Sequence, residues 1–203
     1  MEESSPEVLD IVSDNETGHS PGRVLRDWIL VVVIALGAAL LVRVYVLQQF
    51  YISGPSMEST LYENNRVLVN KLSYRLHDIR RSDVVVFDRI TTSGGVIAHD
   101  DLIKRVIGIA GDTVEIKDCK VLVNAKEIQE PYLDESVLAL PNAVERCRVI
   151  DMKPITVPKN QLFVMGDNRP ESFDSRSFGT IPKHLVVGRA FAIVWPFGRI
   201  ATL

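Results

Sequence analysis

Ser56 lies nine residues beyond the last apolar residues of a membrane-length segment, in the run Ile52-Ser53-Gly54-Pro55-Ser56-Met57-Glu58-Ser59-Thr60-Leu61. A nucleophile placed there would work at a bilayer surface, on substrates embedded in or emerging from the membrane. A serine hydroxyl needs a base to take its proton. Glycine, proline and serine together also describe an ordinary turn. The familiar local signatures of a nucleophile are absent: Glu58 stands where a nucleophile elbow has its second glycine, and no Ser-x-x-Lys occurs. A Ser–His–Asp triad would have to use His99, beside Asp100 and Asp101, which reads equally as an exposed strand end. Lys104, in Leu102-Ile103-Lys104-Arg105-Val106-Ile107-Gly108, is the better base. Leu102 and Val106 flank it at two-residue spacing, so in a strand all three side chains share a face. Burial on that face would disfavour the ammonium and leave an amine able to accept the serine proton. The alternative is an edge strand with Lys104 in solvent. Lys71 also follows an apolar strand, without comparable surroundings.

A third constellation runs from Met165 to Gly179 and packs acids, arginines and serines behind an apolar strand. Asp–Arg pairs can lock such a loop through two parallel hydrogen bonds. A polar surface loop is the plainer reading, but the length and polarity suit a site-building loop on a rigid sheet.

These residues need elements to hold them. Trp28 to Val42 is unbroken apolar sequence and glycine, and Val44-Tyr45-Val46-Leu47 resumes it after Arg43. A helix over 28–47 would span about 30 Å at about 1.5 Å per residue. Arg43 near its far end can snorkel to the headgroups, and Arg23 and Arg26 put the N-terminus in the cytoplasm. The region before the apolar run is too long and acidic for a cleaved signal peptide. Residues 1–27 carry seven of the 26 acids and two of the 23 Lys and Arg, and should be disordered. Residues 48–203 form an extracytoplasmic domain. There the pattern turns to short β-branched strands at 66–70, 83–87, 102–109, 161–165 and 186–195, and a hairpin over 113–123. Gly94-Gly95 marks a turn, and 124–146, with Pro131 and Pro141, reads as an excursion. The expectation is mainly β: an N-terminal transmembrane helix followed by a β-rich, barrel-like domain.

The net charge of −3 argues against a general nucleic-acid binder. Two cysteines and four scattered histidines show no metal-ligand spacing, and the chemistry calls for no cofactor. Cys119 and Cys147 outside the cytoplasm favour a disulfide, with two buried thiols as the alternative that spacing leaves open.

Taken together the segments resemble bacterial type I signal peptidases, from the anchor through four ordered blocks over residues 28–188. Ser56-Met57-Glu58-Ser59-Thr60-Leu61 resembles that family's Ser-Met-x-Pro-Thr-Leu motif, and Ser82 to Phe87 its Gly-Asp-Val-Val-Val-Phe strand. Lys104 to Asp112 resembles its Lys-Arg-Val-x-Gly-x-Pro-Gly-Asp block. Gly166-Asp167-Asn168-Arg169 through Ser172, Asp174, Ser175 and Arg176 resembles its Gly-Asp-Asn-Arg…Ser-x-Asp-Ser-Arg block. The resemblance implies Ser56 as nucleophile and Lys104 as general base. It implies Ser172 orienting the amine, Asp167 paired with Arg105, Asp174 paired with Arg176, and Met57 at the substrate-facing surface. It also implies the Ser56 N–H in the oxyanion hole, signal peptides of exported preproteins as substrates, and cleavage after small residues in an Ala-x-Ala-like pattern. Ser59 and Ala110 replace prolines of the family pattern, Ser82 a glycine, and Gly54 a serine present in some members. Two rivals stand beside this reading. One is a soluble Ser–Lys autoprotease of the SOS-repressor type, against which the span at 28–47 argues. The other is an inactive, signal-peptidase-like membrane scaffold.

Overall fold

The computed structural model describes residues 21–93 and 96–203. The acidic head before Pro21 and the Gly94-Gly95 turn lie outside the described residues. The chain divides into two units, Met1–Leu40 and Leu41–Leu203. The described residues open with a helix, α1 (Pro21–Tyr45). Proline suits a first helical position, where its missing N–H has no partner to lose. Within α1, Gly22–Arg43 has a mean hydropathy of 2.3 and the length to cross a bilayer. Its apolar side chains are exposed all round, as a helix without a polar face requires.

Both ends differ from the expected 28–47. The helix begins at Pro21, so residues 21–27 are helical and not disordered, and it stops at Tyr45 because Leu47 opens a strand. Hydropathy marks where apolar residues run, not where the backbone changes state. Strand pairing claims the last of them.

The rest is predominantly β. The larger sheet joins β1 (Leu47–Tyr51), β2 (Arg66–Asn70), β3 (Val84–Ser93) and β4 (Val96–Ile109) with four later strands. The smaller one joins β5 (Thr113–Lys117), β6 (Lys120–Val123), β7 (Lys126–Glu127) and β8 (Met152–Thr156). The later strands of the large sheet are β9 (Gln161–Met165), β10 (Ile181–Pro182), β11 (Val186–Trp195) and β12 (Ala201–Thr202). Its order is β1-β2-β11-β3-β4-β9-β10, with β12 on β11, and the small sheet runs β7-β6-β5-β8. Short helices fill the connections: α2 (Ser73–Leu76), α3 (Glu135–Leu138), α4 (Ala143–Cys147) and α5 (Ser175–Phe178).

β3 shows why the apolar run reads as a buried strand. Val84 and Val86 point into one core cluster with Met57, Leu61 and Val67. Val85 and Phe87 point into another with Val106, Leu162 and Val164. A strand buried on both faces loses the polar alternation of a surface strand. A third cluster, including Ile107, Val114, Val121 and Phe163, involves both sheets. The expected excursion over 124–146 begins with β7 pairing to β6 and continues through α3 and α4. Cys147, at the end of α4, is joined by a disulfide to Cys119 in the β5–β6 turn.

Candidate active site

The Ser56 loop leaves β1 and is built from local turns. Glu58 N–H donates to the Pro55 carbonyl (2.9 Å) and Leu61 N–H to the Met57 carbonyl (2.7 Å). Buried Met57 and Leu61 pin this turn to the core, while Ser56 itself is only half-buried and can be reached. Met57 is 1% exposed, so it does not form a substrate-facing surface as expected. It packs instead with Ile52, Leu61, Val67 and Val69 in one core cluster.

β4 brings Lys104 to this serine. It sits in register with Val85 and is 3% exposed, which settles the edge-strand alternative. Lys104 Nζ donates to Ser56 Oγ (2.7 Å) and to the Ile103 carbonyl (2.8 Å). Burial pushes the ammonium down to about 8, with nearby Asp174 and Asp167 holding it from falling further. His99 is turned elsewhere: its Nδ1 meets Asp88 Oδ2 at 2.7 Å on the exposed part of the β3–β4 pair.

Arg105 follows Lys104 and points to the opposite side of the strand. Its Nε and Nη2 donate to the two oxygens of Asp167 (2.8 and 2.6 Å), and Nη1 donates to the Ser82 carbonyl (3.0 Å). Thr60 Oγ1 donates to Asp167 Oδ2 (2.6 Å). That bond, with one from Arg105 Nη2 to Thr60 Oγ1 (3.3 Å), commits the Thr60 hydroxyl to the ion pair. Ser82 has a left-handed backbone, φ 71°, a conformation glycine adopts more readily than serine.

The loop after β9 is buried, not a solvent loop: Asp167, Arg169, Ser172, Asp174 and Ser175 are all enclosed. Asp174 takes two bonds from Arg176 (2.8 and 2.7 Å) and one from the Gly166 N–H (3.0 Å). Burial opposes its ionisation, but these donors hold its carboxyl below the usual carboxylate range. Gly166 is where the loop meets the serine. A Cβ there would fall 2.2 Å from Ser172 Oγ and 2.3 Å from the Ser56 carbonyl. That carbonyl accepts the Asn168 N–H (3.2 Å), so loop and nucleophile are stitched together.

Ser172 lies against Gly166, next to the Ser56 carbonyl, and does not make the expected bond to the amine. Its buried Oγ helps hold the Asp174 carboxyl down, but no contact of it among the described residues has full hydrogen-bond geometry. The lysine amine is directed instead by Ser56 and the Ile103 carbonyl.

Sequence reasoning passed over the excursion. Arg169 Nη1 donates to Glu130 Oε2 (3.0 Å), and the Tyr132 hydroxyl donates to Glu130 Oε1 (2.7 Å). The Arg105 guanidinium lies 3.9 Å from the centre of the Tyr132 ring. Ser59 Oγ donates to the Tyr132 carbonyl (2.6 Å). Arg169 stood within a recognisable block, whereas nothing in the local sequence marked Glu130 or Tyr132.

A buried lysine against a reachable serine, braced by two enclosed carboxylate–guanidinium pairs, is an arrangement in which an amine could take a serine proton. Comparison with known proteins gives the class. The protein-family model described as "Signal peptidase, peptidase S26" matches residues 25–195. The chain is similar to a probable signal peptidase I-2 of Synechocystis sp., 38% identical over 178 residues, covering 88% of this chain and 75% of that protein. It is also similar to a signal peptidase I of Bacillus licheniformis, 36% identical over 177 residues, covering 87% of this chain and 91% of that one. A crystal structure of a signal peptidase I from Enterococcus faecalis V583 matches at 30% identity over 56% of this chain and 97% of its own, with a TM-score of 0.43. The chain belongs to the signal peptidase family, peptidase S26, and is a serine endopeptidase.

Proposed function

We propose that the chain is a membrane-anchored peptidase that removes signal peptides from exported preproteins, with Ser56 as nucleophile and Lys104 as general base. The observation that carries this is the 2.7 Å approach of Lys104 Nζ to Ser56 Oγ, made by an amine whose pKa burial has lowered to about 8. A neutral amine there can keep donating to the Ile103 carbonyl while its lone pair takes the Ser56 proton. Ser56 Oγ then attacks the scissile carbonyl, and the Ser56 N–H donates to the developing oxyanion. The ammonium returns its proton to the leaving amine, freeing the mature N-terminus. The base then activates a water that hydrolyses the acyl-enzyme. Arg105–Asp167 ties the loop after β9 to β4, Asp174–Arg176 braces that loop, and Ser172 lies against Gly166 next to the Ser56 carbonyl.

In this reading α1 is the anchor, the N-terminus is cytoplasmic and the β domain lies outside. The anchor holds enzyme and substrate on one surface and so raises their effective concentration. Cleavage follows small residues in an Ala-x-Ala-like pattern. The test is incubation of detergent-solubilised protein with a preprotein carrying such a site, beside Lys104→Met, with the cut mapped by mass spectrometry. A single cut after the second alanine, absent in the variant, is expected. A folded wild type that makes no cut, or a variant that still cuts, refutes the assignment.

A further inference from the structure

We propose that the cleft between α2 and the start of β11 binds the phosphate headgroup of an anionic membrane lipid, an inference that rests on the anchoring role of α1. The cleft has a volume of about 350 Å³ and brings together Lys71, Arg75, Lys183 and His184 over Tyr74 and Val187. No acidic residue lines it. Among the described residues, none of its three Lys and Arg side chains makes an ion pair or hydrogen bond. Lys71 and Lys183 are half-buried at the cleft, and Arg75 and His184 are exposed at it. The cleft on the other side of Tyr74 differs in kind. Its Arg80 and Arg189 are matched by Asp78 and Asp83, and Arg189 Nε pairs with Asp83 Oδ1 at 3.3 Å. Only the first cleft is left with uncompensated positive charge.

Its position supplies the ligand. The Lys71 N–H donates to the Val46 carbonyl (2.9 Å), and the Val46 N–H closes the last turn of α1 on the Val42 carbonyl (2.9 Å). All three residues belong to the same unit. The apolar segment ends at Arg43. Two residues separate Arg43 from Val46, and an extended chain gains at most about 3.6 Å per step, so the Lys71 backbone, at the edge of the cleft, lies within roughly 17 Å of Arg43, where headgroups begin. Cations at that depth face phosphates concentrated in two dimensions, and each Lys or Arg near an anionic surface strengthens attraction roughly fivefold. The half-exposed apolar floor, Tyr74 and Val187, suits the glycerol end of a lipid better than a free, fully hydrated anion.

The test uses the full chain in phosphatidylcholine vesicles doped with a phosphatidylglycerol bearing a photoactivatable headgroup, with labelled peptides mapped by mass spectrometry. Labelling is expected on peptides carrying Lys71–Arg75 and Lys183–Val187. In the Lys71→Gln/Arg75→Gln/Lys183→Gln variant it should fall by at least about tenfold, and it should weaken as salt screens the charges. Preprotein cleavage in detergent should be unchanged, which shows that the variant is folded. If the triple variant does not fold, each single substitution should lower the label roughly fivefold. Labelling beside α1 with none at the cleft overturns this inference alone. Absence of labelling beside α1 as well overturns the anchoring reading, and this inference with it. Loss of the cleft label on adding inorganic phosphate, with ionic strength held constant by chloride, assigns the site to a free anion and overturns the lipid.

Discussion

Replacing Lys104 by methionine should abolish cleavage and yet stabilise the fold at neutral pH. The lysine ammonium ordinarily titrates at 10.5, and burial brings it down to about 8. At about 1.4 kcal/mol per pKa unit, that difference means the charged side chain costs the folded state about 3 kcal/mol at pH 7. The unfolded chain binds this proton more tightly, so wild-type stability rises as pH climbs from about 8 to 10.5, where the cost vanishes. Methionine removes the term and keeps most of the volume. It also loses the bonds to Ser56 Oγ and the Ile103 carbonyl, each worth about 1 kcal/mol net. The variant should therefore be more stable by about 1 kcal/mol at pH 7 and less stable by one or two above pH 10, the sign reversing between. Urea unfolding of both proteins in detergent at three pH values measures this, using a spectroscopic signal from the β domain. The same titration predicts that wild-type activity falls about tenfold per pH unit below about 8, as the base becomes protonated. A variant less stable than wild type at pH 7, a stability difference that ignores pH, or activity that stays flat down to pH 5 would refute the reasoning.

Gly166→Ala should cut activity at least about a hundredfold, because its Cβ has no room between Ser172 Oγ and the Ser56 carbonyl; wild-type rates in this variant would show that the stitch does not position the nucleophile. Asp167→Ala leaves the Arg105 guanidinium buried without its carboxylate, and denaturation should show a loss of about 3–5 kcal/mol. Ser82→Gly relieves a left-handed serine at φ 71° and should raise the unfolding free energy by up to about 1 kcal/mol in denaturant titration; a drop would mean that the serine side chain contributes more than the backbone loses. Reducing the Cys119–Cys147 bond reopens a 28-residue separation, which should destabilise the domain by about 3–4 kcal/mol in the chain-entropy account. It should also loosen Arg176, whose Nη1 donates to the Cys147 carbonyl (2.8 Å), so activity should fall in reductant before the domain unfolds.

Much of this protein was legible from one dimension. The apolar run before Arg43 identifies a membrane-length helix because a helix with no polar face has few other places to go. Val84 to Phe87 and Gln161 to Met165 read as strands because β-branched and aromatic residues fit a pleated, buried surface. The pairing partners of Arg105 and Asp174 were carried by ordered motif blocks, and both ion pairs are present. Local sequence could not show which residues meet across the fold. The α1 boundary moved because pairing of Leu47 with Asn70 claims the end of the apolar run. Met57 went to the core, and Ser172 lies against Gly166 without bonding to the amine, since both outcomes depend on packing from several segments at once. Glu130 and Tyr132 carried no signal because their role exists only once the excursion folds back over Arg105 and Arg169. The depressed lysine pKa is likewise a tertiary property. Residues 102–106 supply an apolar face, but only the enclosing sheet and loops remove the water that would otherwise keep Lys104 charged.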